Sequence, residues 1–243
     1  MILQRALNEL ASLGLQAGVI VILGLIGAAL FRRSFRLRWF AVAIVLFLFY
    51  DFLLTRGFFA LPNFPADAGW NWLGKAMAVI GSLMIAFLPA FGRRRVGLTR
   101  DQGNNPWLAY GLTAALAVLV LYLSMIGGDG RSDWETIAFQ WTMPGLDEEI
   151  FYRGVFLLAM NEAFVRKINI LGAPIGYGGL LTSVLFGLVH SLELSAGQAQ
   201  FNLDAFLWTG APSLLLLWLR ERTGSLVLPI LAHNMSNGLQ SLF

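Results

Sequence analysis

The sequence contains no cysteine, only two histidines and few charged residues. The absence of cysteine excludes disulfide bonds, thiolate metal sites and a cysteine nucleophile. Charged residues make up 13% of the chain and hydrophobic residues 57%, whereas soluble domains carry about 25% charged residues. This composition excludes a freely soluble enzyme and favours a helical membrane protein.

Long uncharged stretches predict an all-α fold, a polytopic transmembrane helical bundle of about eight spans. No internal repeat or linker divides the chain, so we predict one integral membrane domain over residues 1–243. Within it, residues 1–143 hold the first four spans and residues 144–243 the last four, where the chemically interesting residues lie. The predicted spans cover residues 15–31, 39–55, 76–91, 107–128, 146–165, 174–190, 205–219 and 223–243.

Basic residues cluster after the odd-numbered spans. By the positive-inside rule this side is cytoplasmic, which predicts both termini outside the cytoplasm. The protein is expected to be a multi-pass protein of the plasma (inner) membrane if its source is bacterial, and its short basic clusters do not form a nucleic-acid-binding face. Lys75, on the opposite side, is expected to snorkel towards the interface. The clusters consist of Arg32, Arg33, Arg36, Arg38, Arg93, Arg94, Arg95, Arg100, Arg166, Lys167, Arg220 and Arg222.

The fifth span differs from the others because it begins with a run of acidic residues. Pro144 and Gly145 are expected to end a preceding interfacial helix, and Asp147 is a candidate N-cap of the span. Ionisable groups inside a bilayer cost at least about 2.5 kcal/mol each, so this run is a candidate functional site.

Helix geometry predicts different roles for the two adjacent glutamates of this span. Glu149 and Arg153 are four residues apart with the acid first, the favourable order for an ion pair. Glu148 lies about 100° around the helix from Glu149 and cannot share that partner. It is expected to remain free and poorly solvated, as a general base requires. A buried ion-pair network that only holds helices together explains the same residues.

Both histidines fall in apolar spans. His190 ends the sixth span and shares a helix face with Phe186, which is expected to brace the imidazole. His233 and Asn237 share a face of the eighth span, so both side chains can donate hydrogen bonds towards one point. If these residues only formed hydrogen bonds between helices, Ser, Thr or Gln would serve equally well. The combination of both histidines with an asparagine and a pair of glutamates in apolar spans therefore favours a functional site.

These three motifs, Glu-Glu-x-x-x-Arg, Phe-x-x-x-His and His-x-x-x-Asn, occur in that order on separate spans. In this the sequence from Pro144 to Phe243 resembles the CPBP intramembrane proteases, which include the type II CAAX prenyl proteases and the bacteriocin-processing or Abi proteins. The resemblance implies a glutamate-dependent peptidase that acts on a peptide or membrane-protein substrate within the lipid bilayer. It assigns water activation to Glu148 and His190, the oxyanion hole to His233 and Asn237, and support to Glu149, Arg153 and Phe186.

Two alternatives remain open from the sequence. A zinc-dependent version of the peptidase would use Glu148, His190 and His233 as ligands and keep a fourth position for water. No His-Glu-x-x-His spacing is present, so a mechanism without a metal or other cofactor is favoured. The second alternative is a non-proteolytic small transporter or immunity-type membrane protein, although no inverted repeat is visible in the chain.

Overall fold

Helices form at all eight positions where the sequence predicts spans. The computed structural model describes residues 2–128, 130–195 and 197–243. In chain order the main helices are α1 (Ile2–Leu30), α2 (Leu37–Leu54), α4 (Trp72–Ala86), α6 (Trp107–Gly127), α10 (Tyr177–Val189), α11 (Leu203–Thr223) and α12 (Val227–Gln240), with α8 (Met143–Glu148), a π-helical stretch (Glu149–Phe156) and α9 (Leu157–Ala163) forming the fifth span.

Short elements connect these helices. They are a 3₁₀ turn (Arg32–Ser34), the single turns α3 (Arg56–Phe59) and α5 (Arg93–Val96), the helix α7 (Trp134–Gln140), and two antiparallel hairpins, β1–β2 (Lys167–Ile170 with Ala173–Gly176) and β3–β4 (Leu192–Ser195 with Gln198–Phe201). All four residues of α3 have positive φ, so this turn is left-handed. The helix predicted before the fifth span is present as α7.

Among the described residues, three helices are both long and apolar enough to cross a membrane on their own: α1, α2 and α6. Helices α4 and α10 are apolar but shorter. Helix α1 begins at Ile2, well before the predicted start of the first span. The polar residues of its first turns bond along the helix, as in the Gln4 to Asn8 hydrogen bond, and so do not interrupt it. The chain is an integral membrane protein with an all-helical bundle.

The basic clusters meet at one face of the bundle. Arg36 and Arg95 both pair with Glu162, at 2.9 and 2.7 Å. Lys167 pairs with Glu221 at 3.1 Å. The backbone joins the same regions, since Arg36 N–H donates to the Ala163 carbonyl. Because the partners follow the first, third, fifth and seventh spans, the ends of these spans lie on the same side.

The opposite face is closed by the segment before α4 and by α7. Glu135 accepts hydrogen bonds from the backbone N–H groups of Gly69 and Trp70 and from the indole of Trp72. These donors, the Gly69 N–H first among them, lower the pKa of Glu135. Asn71 caps α4 by accepting from Gly74 N–H, and its amide donates to the Leu54 carbonyl. The first turn of α4 is thereby fixed against the end of α2.

Cysteines placed on the two faces of the bundle should differ in whether a reagent outside the cell can reach them. Ala66→Cys lies in the exposed loop before α4, and Asn104→Cys in the exposed loop before α6 on the basic face. In intact cells a membrane-impermeant maleimide should label Ala66→Cys and spare Asn104→Cys, because the positive-inside rule predicts that the basic face is cytoplasmic. The wild type, which has no cysteine, is the blank. If only Asn104→Cys were labelled, the orientation of the protein in the membrane would be opposite to the one predicted.

Candidate active site

The acidic run lies inside a continuous helical segment. Helix α8 begins at Met143, and Pro144 fits its first turn because no intrahelical N–H donor is needed there. The prediction that Asp147 is an N-cap is therefore wrong: it is completely buried within the helix. Glu149 begins the π-helical stretch. Such stretches are rare and frequently mark functional sites.

Helix α8 approaches α12 very closely at Gly145. Its backbone N–H donates to Asn234 Oδ1 at 2.7 Å. A Cβ atom at this position would lie 2.5 Å from Asn234 Oδ1 and 2.7 Å from the Ile230 carbonyl oxygen. Glycine is thus required at this crossing, which brings the acidic run of α8 beside His233 on α12.

Glu149 and Arg153 form the predicted ion pair, and both side chains are fully buried. Arg153 Nη1 donates to Glu149 Oε1 at 3.1 Å, and Nη2 donates to Ser213 Oγ on α11 at 2.7 Å. The guanidinium also lies over the Phe186 ring, 4.3 Å from its centroid. Charge-assisted hydrogen bonds and cation–π contact compensate the buried charge and join the fifth span to α10 and α11.

Glu148 is held by a lysine. Its Oε1 accepts from the Lys75 ammonium at 2.7 Å, and Asp147 Oδ2 accepts from the same group at 2.9 Å. The Tyr50 hydroxyl donates to Asp147 Oδ2 at 2.9 Å. The expectations that Glu148 remains free and that Lys75 snorkels are both wrong. The Lys75 side chain is only 13% exposed, because two poorly solvated carboxylates attract the ammonium inwards.

His233 lies between the two glutamates. Its Nδ1 is 2.8 Å from Glu149 Oε1, and its Nε2 is 3.8 Å from Glu148 Oε2. A carboxylate only accepts hydrogen bonds, so Nδ1 carries a proton. Nε2 is then either a free acceptor in the neutral ring or a donor in the imidazolium.

Phe186 connects the two histidines. Its ring centroid lies 4.8 Å from that of His190 and 6.0 Å from that of His233. The Phe186 carbonyl accepts from His190 Nδ1 at 2.7 Å, which leaves the Nε2 lone pair of a neutral His190 available. His190 is exposed at the end of α10.

Asn237 lies one turn after His233 on α12 and is partly buried. In the part of the chain that the structure describes, its side chain forms no hydrogen bond with protein groups. The amide is therefore available to a ligand, whereas Asn234 on the same helix is used to hold α8.

The residues named for a zinc site do not fit that group. Among residues 2–128, 130–195 and 197–243, no group of three or more His, Asp or Glu side chains is arranged so that it could hold a metal ion. Glu148, the one carboxylate of the set, already binds an ammonium at 2.7 Å, and a second cation there would be repelled.

The bundle defines an integral membrane protein, and a buried carboxylate–imidazole cluster lies among its helices. Residues 130–239 match the family described as type II CAAX prenyl endopeptidase, Rce1-like. This segment is similar to the Rce1-like endopeptidases, and the similarity indicates a peptide hydrolase, as the three motifs predict. Neither a curated protein nor a solved structure gives a significant match.

Four polar residues of the cluster were missed by the sequence analysis: Tyr50, Lys75, Ser213 and Asn234. The signal for Lys75 was present, because an ionisable residue near an apolar span is a functional candidate by default. The other three are common polar residues whose roles depend on which helices become neighbours. No spacing within one helix reveals that.

The Gly145 crossing predicts a sharp difference between two Gly→Ala substitutions. Gly145→Ala should destabilise the protein by about 1–3 kcal/mol, because the added methyl group forces α8 away from α12. Gly111→Ala, in the middle of α6 with nothing within 4 Å of the new Cβ, should be neutral or stabilise by up to about 1 kcal/mol. Thermal unfolding in detergent measures both, and equal effects would contradict the close approach.

Proposed function

We propose that the protein hydrolyses peptide bonds within the membrane by a metal-free mechanism in which Glu148 and His190 activate water. The observation that carries this proposal is the geometry of Glu148. Lys75 binds Oε1, while Oε2 lies 3.8 Å from His233 Nε2. One carboxylate oxygen is thus available to accept a proton from water.

His190 has the protonation pattern that this role needs. With its Nδ1 proton donated to the Phe186 carbonyl, the neutral ring presents a lone pair on Nε2. That atom accepts a hydrogen bond from the attacking water and orients it. As the water oxygen attacks the scissile carbonyl carbon, Glu148 takes the water proton and later delivers it to the leaving amine.

His233 and Asn237 supply the oxyanion donors in this proposal. Donation from His233 Nε2 requires the imidazolium, since a neutral ring would have its only proton on Nδ1 facing Glu149. In this proposal the Glu149 carboxylate is the counter-charge beside the imidazolium, and Arg153 anchors that carboxylate. Asn237 adds a neutral N–H donor one helical turn away.

The substrate we propose is a peptide segment of a membrane-associated protein. A prenylated CAAX tail is the specific candidate suggested by the family. Such a tail is expected to arrive from the cytosol, whereas the positive-inside rule places Glu148 towards the opposite side. Assays therefore need two fluorogenic peptides, one farnesylated with a Cys-a-a-X end and one unmodified and apolar.

Glu148→Gln should lower kcat by about 10²- to 10⁴-fold, because the amide cannot accept the water proton. Glu162→Gln, an ion-paired glutamate of the same segment on the basic face, is the matched control and should retain activity. Cleavage of the two peptides by purified protein in detergent is the measurement, with and without a zinc chelator. Full activity of Glu148→Gln would refute the assignment, and loss on chelation would refute the metal-free mechanism.

Glu149→Gln tests the charge of His233 separately. The amide oxygen can still accept from Arg153 and His233, but the imidazolium loses its counter-charge. We expect kcat to fall by about 10²-fold, the typical effect of losing one oxyanion donor. Glu221→Gln, which removes a carboxylate paired with Lys167, should leave kcat unchanged. An unaltered kcat in Glu149→Gln would show that His233 does not act as a charged donor.

A further inference from the structure

We propose that Lys75 is a positioning residue for Glu148: it fixes which carboxylate oxygen faces the substrate. This inference rests on the function proposed above and adds a residue from outside the family match, which begins at residue 130. The observation that supports this inference is that the largely buried Lys75 ammonium bridges the carboxylates of two consecutive residues, Asp147 and Glu148.

The bridge is anchored from several sides. Asp147 is completely buried and also accepts from the Tyr50 hydroxyl on α2. Lys75 lies in the first turn of α4, one turn after the cap residue Asn71, whose amide donates to the Leu54 carbonyl. The ammonium is therefore held in place independently of Glu148 and can serve as a fixed reference point for it.

The residue type supports this role. The chain contains fifteen arginines and only two lysines, Lys75 and Lys167. An ammonium is a compact point charge with three donors that can be directed separately, whereas the planar guanidinium matches one carboxylate with a fixed fork. Adjacent carboxylates on a helix point in different directions, so a compact cation suits the task of bridging them.

Lys75 affects the reaction through the orientation of the Glu148 carboxylate. With Oε1 bound to Lys75, rotation of the Glu148 carboxylate is restricted and Oε2 remains beside His233 Nε2. Without the ammonium, the neighbouring carboxylates of Asp147 and Glu148 would repel each other with no cation between them, and the Glu148 side chain would turn away. A displacement of about 1 Å at a reacting group can cost about 10²-fold in rate.

Kinetics of Lys75 variants form the first arm of the test. Lys75→Met should lower kcat by about 10- to 100-fold with little change in KM, because substrate binding does not use the ammonium. Lys75→Arg should recover part of the loss, since the positive charge is retained. Lys167→Met, at the other ion-paired lysine, is the matched control and should have wild-type kcat. Unchanged kcat in Lys75→Met would overturn the inference.

Amine labelling forms the second arm and needs neither substrate nor a Lys75 variant. With a soluble N-hydroxysuccinimide ester and peptide mapping, Lys75 of the wild type should react much more slowly than Lys167. In Glu148→Gln, Lys75 should react faster while Lys167 does not change. Equal reactivity of the two lysines in the wild type, or no change in Glu148→Gln, overturns the inference even if Lys75→Met fails to fold. If the wild type cuts neither peptide or Glu148→Gln stays active, the proposed function fails instead.

Discussion

Three consecutive carboxylates within an apolar bundle impose the main constraint on this structure. Each of Asp147, Glu148 and Glu149 must be compensated, because an unpaired charge in such surroundings costs several kcal/mol. The compensating groups come from different helices: Lys75 from α4, Arg153 from the same segment, and His233 from α12. Compensating the acidic run thus requires these helices to meet, and their meeting brings the two glutamates and His233 together.

The same contacts distinguish the two glutamates: Glu149 mainly stabilises the packing of the helices, whereas Glu148 is the one that we propose takes part in the reaction. Glu149 is shared between Arg153 and His233, so it serves mainly to hold these two side chains in place. Glu148 keeps Oε2 near His233 Nε2. The two histidines likewise each direct Nδ1 to a protein acceptor, which leaves Nε2 for a ligand. The arrangement resembles other sites in which a second group fixes the tautomer of a working histidine.

The helices and those contacts that join residues close together in the sequence could be predicted from the sequence. Hydropathy located the eight helical regions, and the i, i+4 spacing predicted the Glu149–Arg153 pair. The partner of Glu148 could not be predicted, because Lys75 lies 73 positions away along the chain and its apolar neighbours suggest a residue that reaches for the interface. The N-cap expectation for Asp147 failed for a related reason: α8 starts four residues earlier, at Met143, and the carboxylate is used by α2 and α4 instead.

The central claim is that Glu148 and His190, on separate helices, act as one unit that activates water. A double-mutant cycle on kcat with Glu148→Gln and His190→Ala tests it most directly, because residues that act as a unit are strongly non-additive. The account predicts that the double variant is no slower than the slower single variant. Rate losses that multiply would show that the two residues act independently, and would contradict it.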